Sequence, residues 1–215
     1  MCGGWIEYGE EHAQVIEIDR GDFLRLGVGG LLAGAVVPAT AGAQLAKPAP
    51  QDDDIAFLSF ATVAERASRD FYRAAAKAKA TGFTPGERSH LRRVIAAKST
   101  HIVRLDGALG ADAPLTEDFV TVLPEGAVKT KARSLALGGQ LEALLVSVYL
   151  NGVSYAVDAG TRLLLGRLLA YDAQALTWLR LRGGKASPAG LASSIDLEAA
   201  AGKLDGFLST PAFPD

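Results

Sequence analysis

Four consecutive residues, Lys98-Ser99-Thr100-His101, put two polar side chains where a helix should be apolar. Leu91, Val94, Lys98, His101 and Leu105 follow the three- and four-residue spacing of a single helical face. A lysine and a histidine on such a face are costly without partners. Glu65, Glu142 and Asp172 are the candidates, since each falls within an apolar row of a different helical segment. Three buried acids alone would repel one another and hold on to their protons. An ammonium among them supplies the missing positive charge. The expectation is an internal ion pair of Lys98 with Glu65, Glu142 and Asp172, with His101 adding a hydrogen bond.

The segments that must position these side chains read as four long helices. The first opens at Asp52-Asp53-Asp54, negative charge suited to a helix start, and runs to Ala80 before Gly82. Phe57, Phe60, Ala64, Ala67 and Phe71 form one row beside Leu58, Ala61, Glu65, Ser68 and Tyr72. Thr84-Pro85-Gly86-Glu87 is a capping box with proline at the first helical position, and it opens a second helix ending near Gly110. Residues 111–126, with Pro114, Pro124 and Gly126, form a long connection. A third helix spans Val128 to Val157, with Leu135, Gly138, Glu142, Leu145, Tyr149 and Gly152 in one row. A fourth spans Thr161 to Arg182, with Leu165, Leu168, Asp172, Ala175 and Leu179 on one face. A short amphipathic segment from Ser194 to Leu208 would cover one end. Tyr72, Tyr149 and Tyr155 are candidates to hydrogen-bond the central acids. The fold class is therefore all-α: two antiparallel helix pairs joined by a long crossover, plus a short C-terminal helix.

The chain has 215 residues, 49% of them apolar, and a net charge of -2, which fits one domain and makes no case for nucleic acid as a partner. Its one cysteine, Cys2, excludes an internal disulfide, a thiolate zinc site and a cysteine nucleophile in the helical body. Neither His90 nor His101 sits in a Ser-His-Asp context, so no catalytic residue is assigned. Before the helices, Asp19-Arg20-Gly21-Asp22-Phe23-Leu24-Arg25 precedes an apolar run over residues 26–37, and Ala41-Gly42-Ala43 follows. That order reads as an export signal over residues 1–43, cleaved after Ala43. The stretch resembles a twin-arginine signal with Gly21 in place of the second arginine. Residues 44–51 read as a spacer, 52–208 as the helical bundle and 209–215 as a tail. The protein is expected to be exported, touching a membrane only through an uncleaved signal.

The four helices together carry a family likeness. Glu65 is followed seven residues on by Tyr72 of Phe71-Tyr72, Leu141-Glu142 has Tyr149 seven residues on, and Asp172-Ala173-Gln174-Ala175 lies on the fourth helix. With Lys98-Ser99-Thr100-His101 on the second, the pattern resembles the ferritin-like superfamily, and within it the exported bacterial ferritin-like domain proteins. The resemblance implies a di-iron centre built from one Glu on each of two helices and a Glu-x-x-His on each of the other two. Here Lys98 stands in place of one Glu and Ala175 in place of one His, while Glu65, His101, Glu142 and Asp172 are the residual ligands. A degenerate centre follows, and with it a non-catalytic cell-envelope structural or binding protein with no cofactor. The alternative is an iron-binding protein or metal-dependent oxidoreductase holding one iron or manganese ion on those four residues. Pairing into a homodimer is a further implication of the family.

Overall fold

A computed structural model describes residues 52–185 and 193–209. The expected signal, its cleavage site and the spacer lie outside the described residues, as do residues 210–215 of the expected tail.

Helix α1 (Asp52–Lys77) and helix α2 (Pro85–Leu109) form one antiparallel hairpin. Helix α3 (Lys131–Tyr155) and helix α4 (Ala159–Arg182) form the other, packed along their whole length. The expected all-α bundle of two hairpins with a crossover is therefore the observed one. Thr84 accepts from the Glu87 backbone N–H at 3.2 Å while the Glu87 carboxylate accepts from the Thr84 backbone N–H at 2.9 Å, which completes the predicted capping box. Asp158 caps α4 by accepting from the Thr161 N–H at 2.7 Å, which starts that helix two residues before the expected Thr161.

Other boundaries also shift. Helix α1 stops at Lys77, and a 3-10 turn over Lys79–Thr81 leads into the hairpin loop. Helix α3 starts at Lys131 rather than Val128, because Thr130 caps it by accepting from the Arg133 N–H at 3.2 Å. Between α2 and α3 the crossover places a strand, β1 (Val120–Thr121), antiparallel to β2 (Leu208–Ser209). A two-residue ladder leaves no alternating pattern in sequence, and it forms because tertiary packing brings its partners together. The short helix α5 (Leu197–Leu204) buries Ala200 and Leu204 against α1 and α3, as its amphipathic pattern requires.

The interior consists of two apolar clusters. One contains Phe57, Leu58, Leu105, Val148, Leu165 and Leu204; the other contains Phe71, Leu91, Val94, Leu135, Leu141 and Leu179. On α2, α3 and α4 the change from one cluster to the other falls at Lys98, Glu142 and Asp172; on α1 the first cluster continues past Glu65 to Ala67 and the second begins at Phe71. Close approach of the helices depends on glycine at two positions of α3. A Cβ on Gly138 would lie 2.7 Å from the Phe71 ring, and one on Gly152 would lie 2.6 Å from a Leu165 methyl.

One tie across the hairpins was not visible in the acidic start of α1. Asp54 is fully buried, and its two carboxylate oxygens accept from the Val157 and Asp158 backbone N–H groups at 2.7 and 2.9 Å. It holds the α3–α4 turn against the first turns of α1.

Candidate buried charge centre

Each long helix delivers one charged side chain to the middle of the bundle, and each of the four is completely buried: Glu65 from α1, Lys98 from α2, Glu142 from α3 and Asp172 from α4. They arrive there by helical periodicity alone. Lys98 continues the Leu91 and Val94 row one turn on, and Asp172 lies four residues after Leu168 in its row.

The Lys98 ammonium occupies the centre. Its Nζ donates to Asp172 Oδ1 at 2.7 Å and to Glu142 Oε2 at 3.1 Å, and it lies 3.1 Å from Glu65 Oε2. The three acids are served unequally. Glu65 Oε1 accepts from the Tyr149 hydroxyl at 2.9 Å and stands 3.2 Å from His101 Nδ1. Since a carboxylate only accepts, that contact requires the proton on Nδ1. Glu142 Oε1 accepts from the Ser68 hydroxyl at 2.8 Å. Asp172 Oδ2, Glu65 Oε2 and the Tyr72 hydroxyl are buried with no hydrogen-bond partner, although Glu65 Oε2 faces the Lys98 ammonium at 3.1 Å.

The protonation energetics follow that inequality. Burial raises the Glu65 pKa, but the Lys98 charge, His101 and Tyr149 outweigh it and bring the carboxyl down to about 2. For Glu142 burial is the largest influence, and with the Glu65 charge nearby it keeps the pKa above the ordinary value despite Lys98 and Ser68. Asp172 is pushed well above its ordinary value, first by burial and then by the charge of Glu65. Burial opposes the charge on Lys98, yet Asp172, Glu142 and Glu65 more than compensate, and the ammonium holds its proton. Three buried carboxylates and one ammonium would leave two uncompensated negative charges. A low-dielectric interior resists that, which is the physical cause of the upward shifts on Asp172 and Glu142.

The structure brings together all five residues singled out in sequence. Of the three tyrosines, Tyr149 reaches the acids. Tyr72 lies in the core without a hydrogen bond, while Tyr155 is 71% exposed at the last turn of α3 and takes no part. Ser68 was missed as a functional partner although it stands three residues after Glu65 on the same face. Tyr171 was also missed; its ring meets the His101 ring edge-on at 5.0 Å between centroids. His90 belongs to a different environment and stacks on Trp178 at 4.1 Å.

Glu65, His101 and Asp172 each offer one ligand atom, and these atoms lie within 4.8 Å of one another, a spacing compatible with one metal ion. The Lys98 ammonium touches two of those three residues, and a metal shared by the carboxylates would have to sit against it. A pair of metal ions bridged by carboxylates does not fit this arrangement while Lys98 is charged and in place.

A four-helix bundle of two hairpins with a charged side chain converging from each long helix defines a class: the helical proteins that build sites inside the bundle. A family model described as the ferritin-like domain matches residues 53–184, well over half of the chain. The chain belongs to that family. No curated protein and no solved structure matches it.

Proposed function

We propose that this is an exported ferritin-like bundle whose di-metal centre has degenerated into an internal ion pair, and that it acts as a non-catalytic structural or binding module of the cell envelope. The observation that carries the reading is the Lys98 ammonium at 2.7–3.1 Å from three carboxylates on three helices. Lys98 stands where the family supplies a bridging Glu, and Ala175, a buried methyl, stands where it supplies a His. Positive charge that ferritin-like proteins draw from metal is supplied here by the chain itself. Export rests on the N-terminal sequence, and N-terminal sequencing of the secreted protein tests it, with a start at Gln44 expected.

Growth in metal-replete medium followed by elemental analysis tests the centre, with substoichiometric iron, manganese and zinc expected. Ferrous iron added aerobically should oxidise no faster than in buffer. The close approach of the Glu65, His101 and Asp172 ligand atoms favours one competing reading, a single metal ion held with Lys98 turned aside. One bound metal per chain, lost in Glu65→Gln and His101→Ala, would establish that reading instead.

A further inference from the structure

A groove runs along the solvent side of α3. Its first part is a cavity of about 640 Å³ between α3 and the end of α4, a size that suits a small molecule. The floor is apolar: the buried core residues Leu135 and Leu179, with Ala136 and Ala143 beside them. Gln140 and Ala143 also line a second cavity of about 630 Å³, whose walls include Leu144, Ile195 and Phe207. The two cavities adjoin, and the stretch of α3 that lines them, Lys131 to Ser147, is about 24 Å long at a helical rise of about 1.5 Å per residue.

Charge is concentrated at one end of the groove, where Lys131, Arg180, Arg182 and Lys185 line the wall. Basic residues at the end of a helix often serve its open carbonyls. Here the backbone already does so: the N–H groups of Gly183, Gly184 and Lys185 donate to the carbonyls of Leu179, Leu181 and Arg180 at 2.9, 3.2 and 2.9 Å. Among the described residues, the acid that answers these cations is Glu87, 2.6 Å from Lys131 Nζ and 4.0 Å from Arg182 Nε. Arg180 and Lys185 make no ion pair among the described residues. At the other end of the groove stands a single cation, Lys203. The groove also gives a reason for Gly139. A Cβ on neighbouring Gly138 would strike Phe71, whereas one on Gly139 would meet nothing within 4 Å. Packing does not require that glycine, and a helix interior loses stability by having it; close approach of a ligand to the backbone does require it.

From the cations at one end and the apolar length behind them, we infer that this groove binds a monomeric single-chain amphiphile with a phosphate head. The head lies among Arg180, Lys185 and their basic neighbours, and the chain passes over Gly139 towards Phe207. A phosphate monoester carries a charge of about −1.5 to −2 at pH 7 and matches the paired donors of arginine. A carboxylate head would leave more of the positive charge unanswered. None of these residues belongs to the central charge group, so the site is the same whether Lys98 or a metal fills the middle of the bundle.

The test is isothermal titration calorimetry of the purified full chain with oleoyl lysophosphatidate below its micelle concentration. One site per chain is expected, with oleate and glycerol 3-phosphate each binding more weakly by about tenfold or more. Arg180→Glu combined with Lys185→Glu, which breaks no ion pair among the described residues, should weaken binding by about tenfold or more. Gly139→Trp, whose side chain enters open space, should abolish binding and keep the helical circular-dichroism spectrum, while Lys203→Ala should bind as the wild type does. Equal affinity for oleate overturns the phosphate head. Unchanged affinity in the charge-reversed or Gly139→Trp chain overturns the site. Binding to phosphatidate vesicles without binding to the monomer overturns the proposal in favour of a membrane surface. A chain that binds nothing overturns it as well, and if that chain is a dimer that Gly139→Trp dissociates, the occupant of the groove is a second copy.

Discussion

The bundle interior contains two kinds of layer. Above and below the centre, Leu105, Val148, Leu165 and Leu168 in one cluster and Leu91, Val94, Leu135 and Leu179 in the other are held by non-directional apolar burial. Between them lies a layer of four charged groups held by directional contacts to named atoms. Apolar layers lose stability in proportion to what is cut away. A charged layer behaves differently, because removing one member strands the charges of the others, while removing all four leaves no buried charge and strands only the neutral donors Tyr149, Ser68 and His101. The expected experimental signatures of the two layers are therefore distinct.

The sharpest break is Lys98→Met, which leaves three buried acids without their cation. Chemical denaturation at neutral pH should show a loss of about 3–5 kcal/mol. Replacing Lys98, Glu65, Glu142 and Asp172 together by apolar residues of similar volume should cost little, or stabilise the fold by about 1–4 kcal/mol. A quadruple variant less stable than Lys98→Met would erase the distinction between the layers.

Leu105→Ala, in the apolar layer, should cost about 2–5 kcal/mol. Its denaturation midpoint should follow the wild type's pH dependence, since no titrating group is lost.

Glu65→Gln should cost about 3 kcal/mol at neutral pH while Lys98 is an ammonium, as the shift of the Glu65 pKa from its ordinary value of 4.5 to about 2 implies. The folded protein binds this proton less tightly than the unfolded chain. Its contribution is therefore complete above the unfolded value and disappears as pH falls from about 4.5 towards 2. Glu142 has the opposite sign, its pKa being raised, so Glu142→Gln should cost less than Glu65→Gln at neutral pH.

Gly138→Ala should lose about 1–3 kcal/mol by thermal or chemical denaturation, because the added methyl runs into Phe71. The gain in helix propensity, about 1 kcal/mol, offsets part of this. At the far end of the scale, Arg73→Ala removes a solvent-exposed pair with Asp70 and should move stability by less than about 1 kcal/mol.

Much of the charged layer was legible in the sequence, for a physical reason. A polar residue on an apolar helical face announces itself by breaking the pattern, and each of the four helices does so at least once. Periodicity places Lys98 beside Val94 and Leu105, and Glu142 beside Leu141 and Leu145, without knowledge of the fold. Unequal service of the acids was not legible. That Glu65 takes Tyr149 and His101 while Asp172 keeps a bare oxygen depends on rotamers and helix rotation. Tyr155 shows the same limit, since at the last residue of α3 its side chain is exposed and reaches none of the acids. Asp54 was read only as favourable charge at a helix start, because its partners are backbone groups 103 and 104 residues away.

Asp54 also gives the molecule a mechanical property. Tension applied to the chain ahead of α1 reaches the bundle at the first turns of that helix. There the Asp54 carboxylate grips two backbone N–H groups of the opposite hairpin. The load is shared between both hairpins at its point of entry, so the first helix cannot be peeled away without first breaking both of these bonds to the α3–α4 turn.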